Sequence, residues 1–180
     1  MGTLRMLTVA LSAGALLSGC AAAQRAMPGT LSSANVVAVL NTIDTGEIEA
    51  AQLAKQKASS QAVRTYATRL VDEHTDMMQK NLQLARRIKV EPEKPRLASA
   101  LESTHHETME ELRKKSGQDF DRAYMAYQVR MHEQALKLVE DTADSADDSR
   151  LKQHLIQERP GLQSHLSAAQ NLQRQLVAQQ

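Results

Sequence analysis

Tryptophan is absent, and three tyrosines with one phenylalanine make aromatics only 2% of the chain. So few rings leave little with which to stack bases or build a carbohydrate platform. There is one cysteine, Cys20, which excludes an internal disulfide and leaves the fold to stand on packing. An excess of either charge is missing too. Residues 1–19 hold Arg5 and no acid, so without them 21 basic residues face 21 acidic ones. A neutral chain has no field to steer it to nucleic acid, and no nucleic-acid partner is expected. Also lacking are a Gly-rich phosphate loop, a serine nucleophile elbow and a paired-cysteine zinc motif. The composition therefore reads as a binding or structural protein rather than an enzyme.

Long apolar runs are missing as well, with one short exception near the N-terminus. Arg5 is followed by an apolar stretch from Met6 to Leu17. About a dozen residues suit a signal-peptide core and fall short of the ~20 that a spanning helix needs. The stretch ends in Leu17-Ser18-Gly19-Cys20, which resembles the bacterial lipobox. That resemblance implies a signal peptide over 1–19, cleavage before Cys20 and lipid, palmitate included, on that cysteine. The other reading is an ordinary signal peptide with an incidental cysteine. Each buried methylene of an acyl chain contributes about 0.8 kcal/mol, so several chains anchor far more firmly than one. By resemblance to enterobacterial lipoproteins, Ala21, a residue other than aspartate after the cysteine, favours delivery to the periplasmic face of the outer membrane. Residues 20–33 are small and polar, contain Pro28-Gly29, and read as a flexible tether.

What is abundant is Ala, Leu, Gln, Glu, Lys and Arg, all good helix formers, and no stretch shows strand alternation. The three- and four-residue spacing of apolar groups predicts helices over about 34–58, 61–89, 96–115, 120–144 and 150–178. Ser59-Ser60 separates the first two, and Pro92 and Pro95 end the second. Ser116-Gly117 closes the third, with glycine free to take a left-handed position, and Asp119 is the expected N-cap of the fourth. Pro160 predicts a kink or a restart in the last helix. Four long helices with a helical crossover between the second and third predict an all-α, ferritin-like four-helix bundle over 34–178.

Each long helix breaks its apolar stripe with a polar group: Glu47, His74, His132, and then Glu158 and His165. Glu47 and His74 lie about 12 and 14 residues from the Ser59-Ser60 turn, and the helical rise is ~1.5 Å per residue. His132, Glu158 and His165 lie about 15, 11 and 18 residues from the turn at 144–149, so all five can sit near mid-bundle. Imidazoles and carboxylates from separate helices suit a transition metal: zinc, copper or iron. Met77, Met78, Met125 and Met131 would favour copper if they were near. The competing reading is a hydrogen-bonded core network that fixes helix register, with methionines filling gaps. The residues three before His74 and His165 are Val71 and Leu162, so the Glu-x-x-His pairs of di-iron carboxylate proteins are absent. His105-His106 reads as a solvated helix face, and His154, one position off the last stripe, as a flank residue.

Three stretches carry a family likeness: GEIEAAQLAKQKASSQAVRTYATRLVDEHT (46–75), SGQDFDRAYMAYQVRMHEQALKLVE (116–140) and ERPGLQSHLSAAQNL (158–172). They resemble the exported bacterial family called domain of unknown function 4142, over about 35–175. The resemblance implies a ferritin-like helical fold and a cell-envelope location, brings no activity, and makes Glu47, His74, His132 and His165 the positions to carry over. Two readings of function stay open: a lipid-anchored envelope bundle that binds a transition metal, and a non-enzymatic structural or adaptor lipoprotein. A redox-metal oxidoreductase is disfavoured by the missing glutamates. Expected partners are the membrane, through the lipid on Cys20, and an envelope protein or a second copy of the chain.

Overall fold

The computed structural model describes residues 31–178, which form five helices and no strand. The expected signal peptide, Cys20 and the expected tether up to residue 30 lie outside the described residues. The helices are α1 (Ser33–Lys57), α2 (Gln61–Ile88), α3 (Arg96–Lys114), α4 (Gly117–Ser145) and α5 (Ser149–Ala178). Among the described residues, no helix is long and apolar enough to cross a membrane.

Local chemistry sets the helix ends. The Ser32 hydroxyl caps α1 by accepting from the Asn35 N–H at 3.1 Å, while Lys55 and Lys57 sit at its negative end. The Ser59-Ser60 turn is pinned by a residue of another helix. The Asp121 carboxylate of α4 accepts from both turn N–H groups at 2.9 and 2.8 Å and from the Ser59 hydroxyl at 2.5 Å. α2 ends where Lys89 turns left-handed at φ 58°, ahead of the two prolines. Gly117 has φ 56° at the junction into α4, a conformation that costs glycine little.

Of the expectations about helix ends, the N-cap at Asp119 is corrected, and at Pro160 the restart is ruled out. α4 begins at Gly117, behind Ser116, so Asp119 is not its N-cap; it lies in the first turn and pairs with Arg122. An acid there still favours the positive helix end. α5 is one helix through Pro160 and does not restart there. The carbonyl that proline leaves without its usual donor is that of Ile156, four residues back, on the exposed side of the helix.

α1 pairs with α2 and α4 with α5, and the two pairs meet along α2–α5 and α1–α4. The crossover lies on α1 and is held at both ends: Asn35 donates to the Glu93 carbonyl, and Lys57 to that of Arg113. α3 therefore runs in the same direction as α1. The core falls into two main apolar clusters, one around Leu70, Phe120, Tyr124 and Ala169, the other around Val37, Leu84, Val139 and Leu155. Between them, on every long helix, the stripe turns polar: Asp44 and Glu47, His74, Gln128 and His132, and His165.

Candidate metal centre

α2, α4 and α5 contribute His74, His132 and His165, each enclosed within the bundle. One nitrogen from each ring lies within 4.8 Å of the other two. The ring centroids are 5.6 Å apart for His74 and His132, 5.1 Å for His74 and His165, and 5.2 Å for His132 and His165.

The far nitrogen of each ring is already engaged. His132 Nδ1 sits 2.9 Å from the Gln128 carbonyl, which can only accept, so His132 carries its proton on Nδ1. His165 Nε2 lies 2.5 Å from Glu73 Oε2. The Arg69 guanidinium holds the Glu73 carboxyl down at about 2, so Glu73 is an acceptor and His165 carries its proton on Nε2. His74 Nδ1 lies 2.9 Å from Asp44 Oδ1, and the other Asp44 oxygen accepts from Asn81 Nδ2 at 2.8 Å. Asn81 in turn accepts from His154 Nε2 at 2.7 Å, so a chain of three side chains backs His74.

His132 Nε2 and His165 Nδ1 are consequently bare lone pairs on the inward side, and His74 Nε2 joins them when Asp44 is ionised and accepts from His74 Nδ1. His132 Nε2 and His165 Nδ1 face each other at 3.2 Å, and His74 Nε2 has no hydrogen-bond partner among the described residues. Adding a proton is opposed by burial, which pushes His132 down to about 3 and His165 to about 4, and lowers His74 as well. Charge accounting leads the same way. Burial raises the carboxyls of Asp44, Glu47 and Glu158, and no lysine or arginine is among the buried residues described. Buried carboxylates need a compensating cation or must give up their charge.

Such a donor set fits a first-row ion. Neutral imidazoles whose other N–H is held by a carboxylate or carbonyl are the usual metal-ligating form. Zn–N bonds of about 2.0–2.1 Å place two tetrahedral ligand nitrogens about 3.3 Å apart, close to the His132–His165 separation. Three nitrogens leave a fourth position open.

The remaining expected ligands fall outside this group of three. Glu47 is buried beside it, accepting from Gln128 Nε2 at 2.8 Å through one oxygen, while Oε1 has no hydrogen-bond partner among the described residues. Glu158 is one helical stretch away from His165, and seven residues at ~1.5 Å amount to about 10 Å along α5. It feels Lys80, Asp44 and Asp76 instead. Met77 fills one apolar cluster and Met125 the other.

Two histidines are not where the sequence put them. His154 is buried rather than flanking, because α2 crosses α5 at Asn81 and gives it a partner. The His105-His106 pair splits: His106 is exposed, while His105 is tucked over Gly46 and reaches Tyr127 and Glu49. Adjacent helical residues point about 100° apart, so one faces in and the other out. Asp44, Glu73 and Gln128 went unrecognised as partners. Asp44 is three before Glu47 and Gln128 four before His132, spacings that share a helix face; Glu73 had no such signal, because only the α2–α5 crossing brings it to His165.

Fold and donors together define a helical bundle with a convergent imidazole triad at its centre. The chain belongs to the family described as domain of unknown function (DUF4142), whose model matches residues 18–172. No curated protein and no solved structure matches it.

Proposed function

We propose that this protein is a lipid-anchored bundle of the bacterial cell envelope that holds a divalent first-row transition ion on His74, His132 and His165. The observation that carries the reading is the facing pair of deprotonated nitrogens, His132 Nε2 and His165 Nδ1, at 3.2 Å, with His74 Nε2 beside them. Lone pairs so placed repel unless a cation joins them, and burial makes a proton the poorer candidate. Zinc suits three imidazoles with an open position; copper and iron are the other ions such donors take. The enclosure of all three rings favours storage, buffering or a structural role over turnover of a bulky substrate.

The helix directions support the ferritin-like arrangement. The crossover returns the chain so that α2 and α4 run the same way, as one long connection in a four-helix bundle requires. The envelope location rests on Leu17-Ser18-Gly19-Cys20 and on the resemblance the motifs carry.

Purified full-length chain grown with added zinc, copper and iron should carry close to one ion per molecule by elemental analysis. Cobalt substituted into it should give the intense visible bands of a four-coordinate nitrogen site. A His74→Ala/His132→Ala protein should carry none. Equal metal content in the two proteins ends the proposal.

One observation favours a second reading, a structural polar core. The 3.2 Å separation is also a hydrogen-bond distance, so one shared proton could join His132 to His165. In that case His74 Nε2 stays without a partner, and added metal leaves the protein unchanged.

A further inference from the structure

The three imidazoles are sealed, yet an ion must reach them, and their polar partners differ in access to solvent. Gln128 behind His132 is fully buried, and Asp44 behind His74 is backed by Asn81 and His154, both buried. Glu73 behind His165 is different: its side chain is 42% exposed. It lies at the edge of a surface groove of about 580 Å³ whose lining includes Lys55, Arg64, Arg69, Asp72 and Glu73. Arg69, 40% exposed, closes over it, donating from Nε to Glu73 at 2.7 Å and from Nη2 to the Ser164 hydroxyl at 2.9 Å. Ser164 is the residue before His165, so one guanidinium ties α2 to the α5 turn that carries the ligand.

We infer that hydrated divalent cations reach and leave the imidazole centre through the Glu73 carboxylate, with Arg69 as the latch that must release it. The inference rests on the metal-binding reading above. Among the described residues, Glu73 is the one anionic group that touches both solvent and a ligand imidazole, so it meets an incoming ion first. While Arg69 occupies it, that carboxylate is neutralised and fixed against His165 Nε2. When Arg69 lets go, Glu73 gains the charge to take the cation. His165 loses the anchor that holds its ring shut, so the ion can pass to the inner lone pairs. The latch is made on the path and not at the bound ion, so its removal should change rates more than affinity.

The test uses stopped-flow binding of Co²⁺ to metal-free full-length protein, with dissociation followed by chelator competition. Arg69→Met, which keeps the aliphatic stem, should speed both association and dissociation by about five- to tenfold, the scale of a partly exposed charge-assisted pair. The dissociation constant should stay within about threefold of the parent value. Lys137→Met removes a comparable i,i+4 pair, with Asp141, on α4 and should leave the rates alone. Glu73→Gln keeps an oxygen to accept from His165 and removes the capturing charge, so association should slow. Unchanged rates in Arg69→Met, or faster uptake in a His154→Ala protein that opens the opposite side instead, would overturn the path. Absence of Co²⁺ binding by the parent protein is a separate result: it removes the metal reading itself, and the path with it.

Discussion

His132 Nε2 and His165 Nδ1 stand 3.2 Å apart, while a backbone carbonyl and an ionised carboxylate engage the nitrogens on the far sides of both rings. On the metal-binding proposal, a cation joins the two helices at mid-bundle through these nitrogens. A ligand that binds only the folded form stabilises it by about 4 kcal/mol at a thousand times its dissociation constant. For a domain of this size that is a rise in Tm of roughly 8–16 °C. Calorimetry of metal-free chain with and without zinc should show it, and the His74→Ala/His132→Ala protein should show no rise.

Asp121 offers a prediction that is independent of metal. It is fully buried, sits on α4, and satisfies two backbone N–H groups and one hydroxyl in the α1–α2 turn. Asp121→Ala leaves those donors without acceptors and should cost about 2–4 kcal/mol in urea unfolding. Asp119→Ala, two residues away and exposed, should cost under about 0.5 kcal/mol, as ordinary surface changes do. Comparable losses at the two positions would mean that the turn is not held by Asp121.

The inward stripes of α1 and α2 were legible in the sequence: Val36, Leu40, Ile43, Glu47, Ala50 and Ala54 fall at three- and four-residue steps and are all buried, as are Val63, Ala67, Leu70, His74, Met77, Asn81, Leu84 and Ile88. Periodicity reports which face of a helix is inside, so it found His74, His132 and His165 through their stripe positions. It says nothing about which helices cross, or where. Glu73 looks like any solvent-side glutamate until α5 lays His165 against it, and His154 looks peripheral until Asn81 arrives. Counting residues from the turns already put Glu158 seven residues, about 10 Å, from His165, but could not tell which of those depths the histidines of the other helices share. The tautomers, which carry the functional argument, depend on hydrogen bonds between helices and leave no trace in spacing.

His154 gives a pH dependence whose sign can be worked out. Burial, with Arg87 and Lys80 nearby, pushes it down from 6.5 to about 4. The unfolded chain therefore binds the proton first, and stability from this group is lost as pH falls from about 6.5 toward 4. The slope is at most about 1.4 kcal/mol per pH unit. Asp44, Glu47 and Glu158 are shifted upward and act in the opposite sense, gaining as pH falls, so the parent curve is a sum. His154→Gln can still donate to Asn81 and does not titrate. Subtracting its urea-unfolding profile from that of the parent should isolate a loss confined to that window. Parallel profiles would show that His154 is solvated enough to titrate normally.

The crossover helix supplies the last prediction. α3 meets the bundle chiefly through α1, and at its middle His105 fits over Gly46, where no side chain intervenes. A Cβ at position 46 would sit 3.2 Å from His105 Nδ1 and 3.3 Å from its Cγ, tighter than ordinary contact. The ring cannot slide freely, since Nδ1 lies 3.2 Å from the Tyr127 hydroxyl and Nε2 lies 3.0 Å from Glu49. Alanine would otherwise favour the helix over glycine by about 0.5–1 kcal/mol. Gly46→Ala should nevertheless lose stability by about 1 kcal/mol and raise amide exchange over residues 96–114, because displacing His105 breaks both of its bonds. With His105→Ala already made, the clash is gone and the same glycine substitution should become stabilising by its helix propensity alone. That reversal of sign between backgrounds is the signature of direct contact, and a Gly46→Ala effect of the same sign and size in both would place the close approach elsewhere.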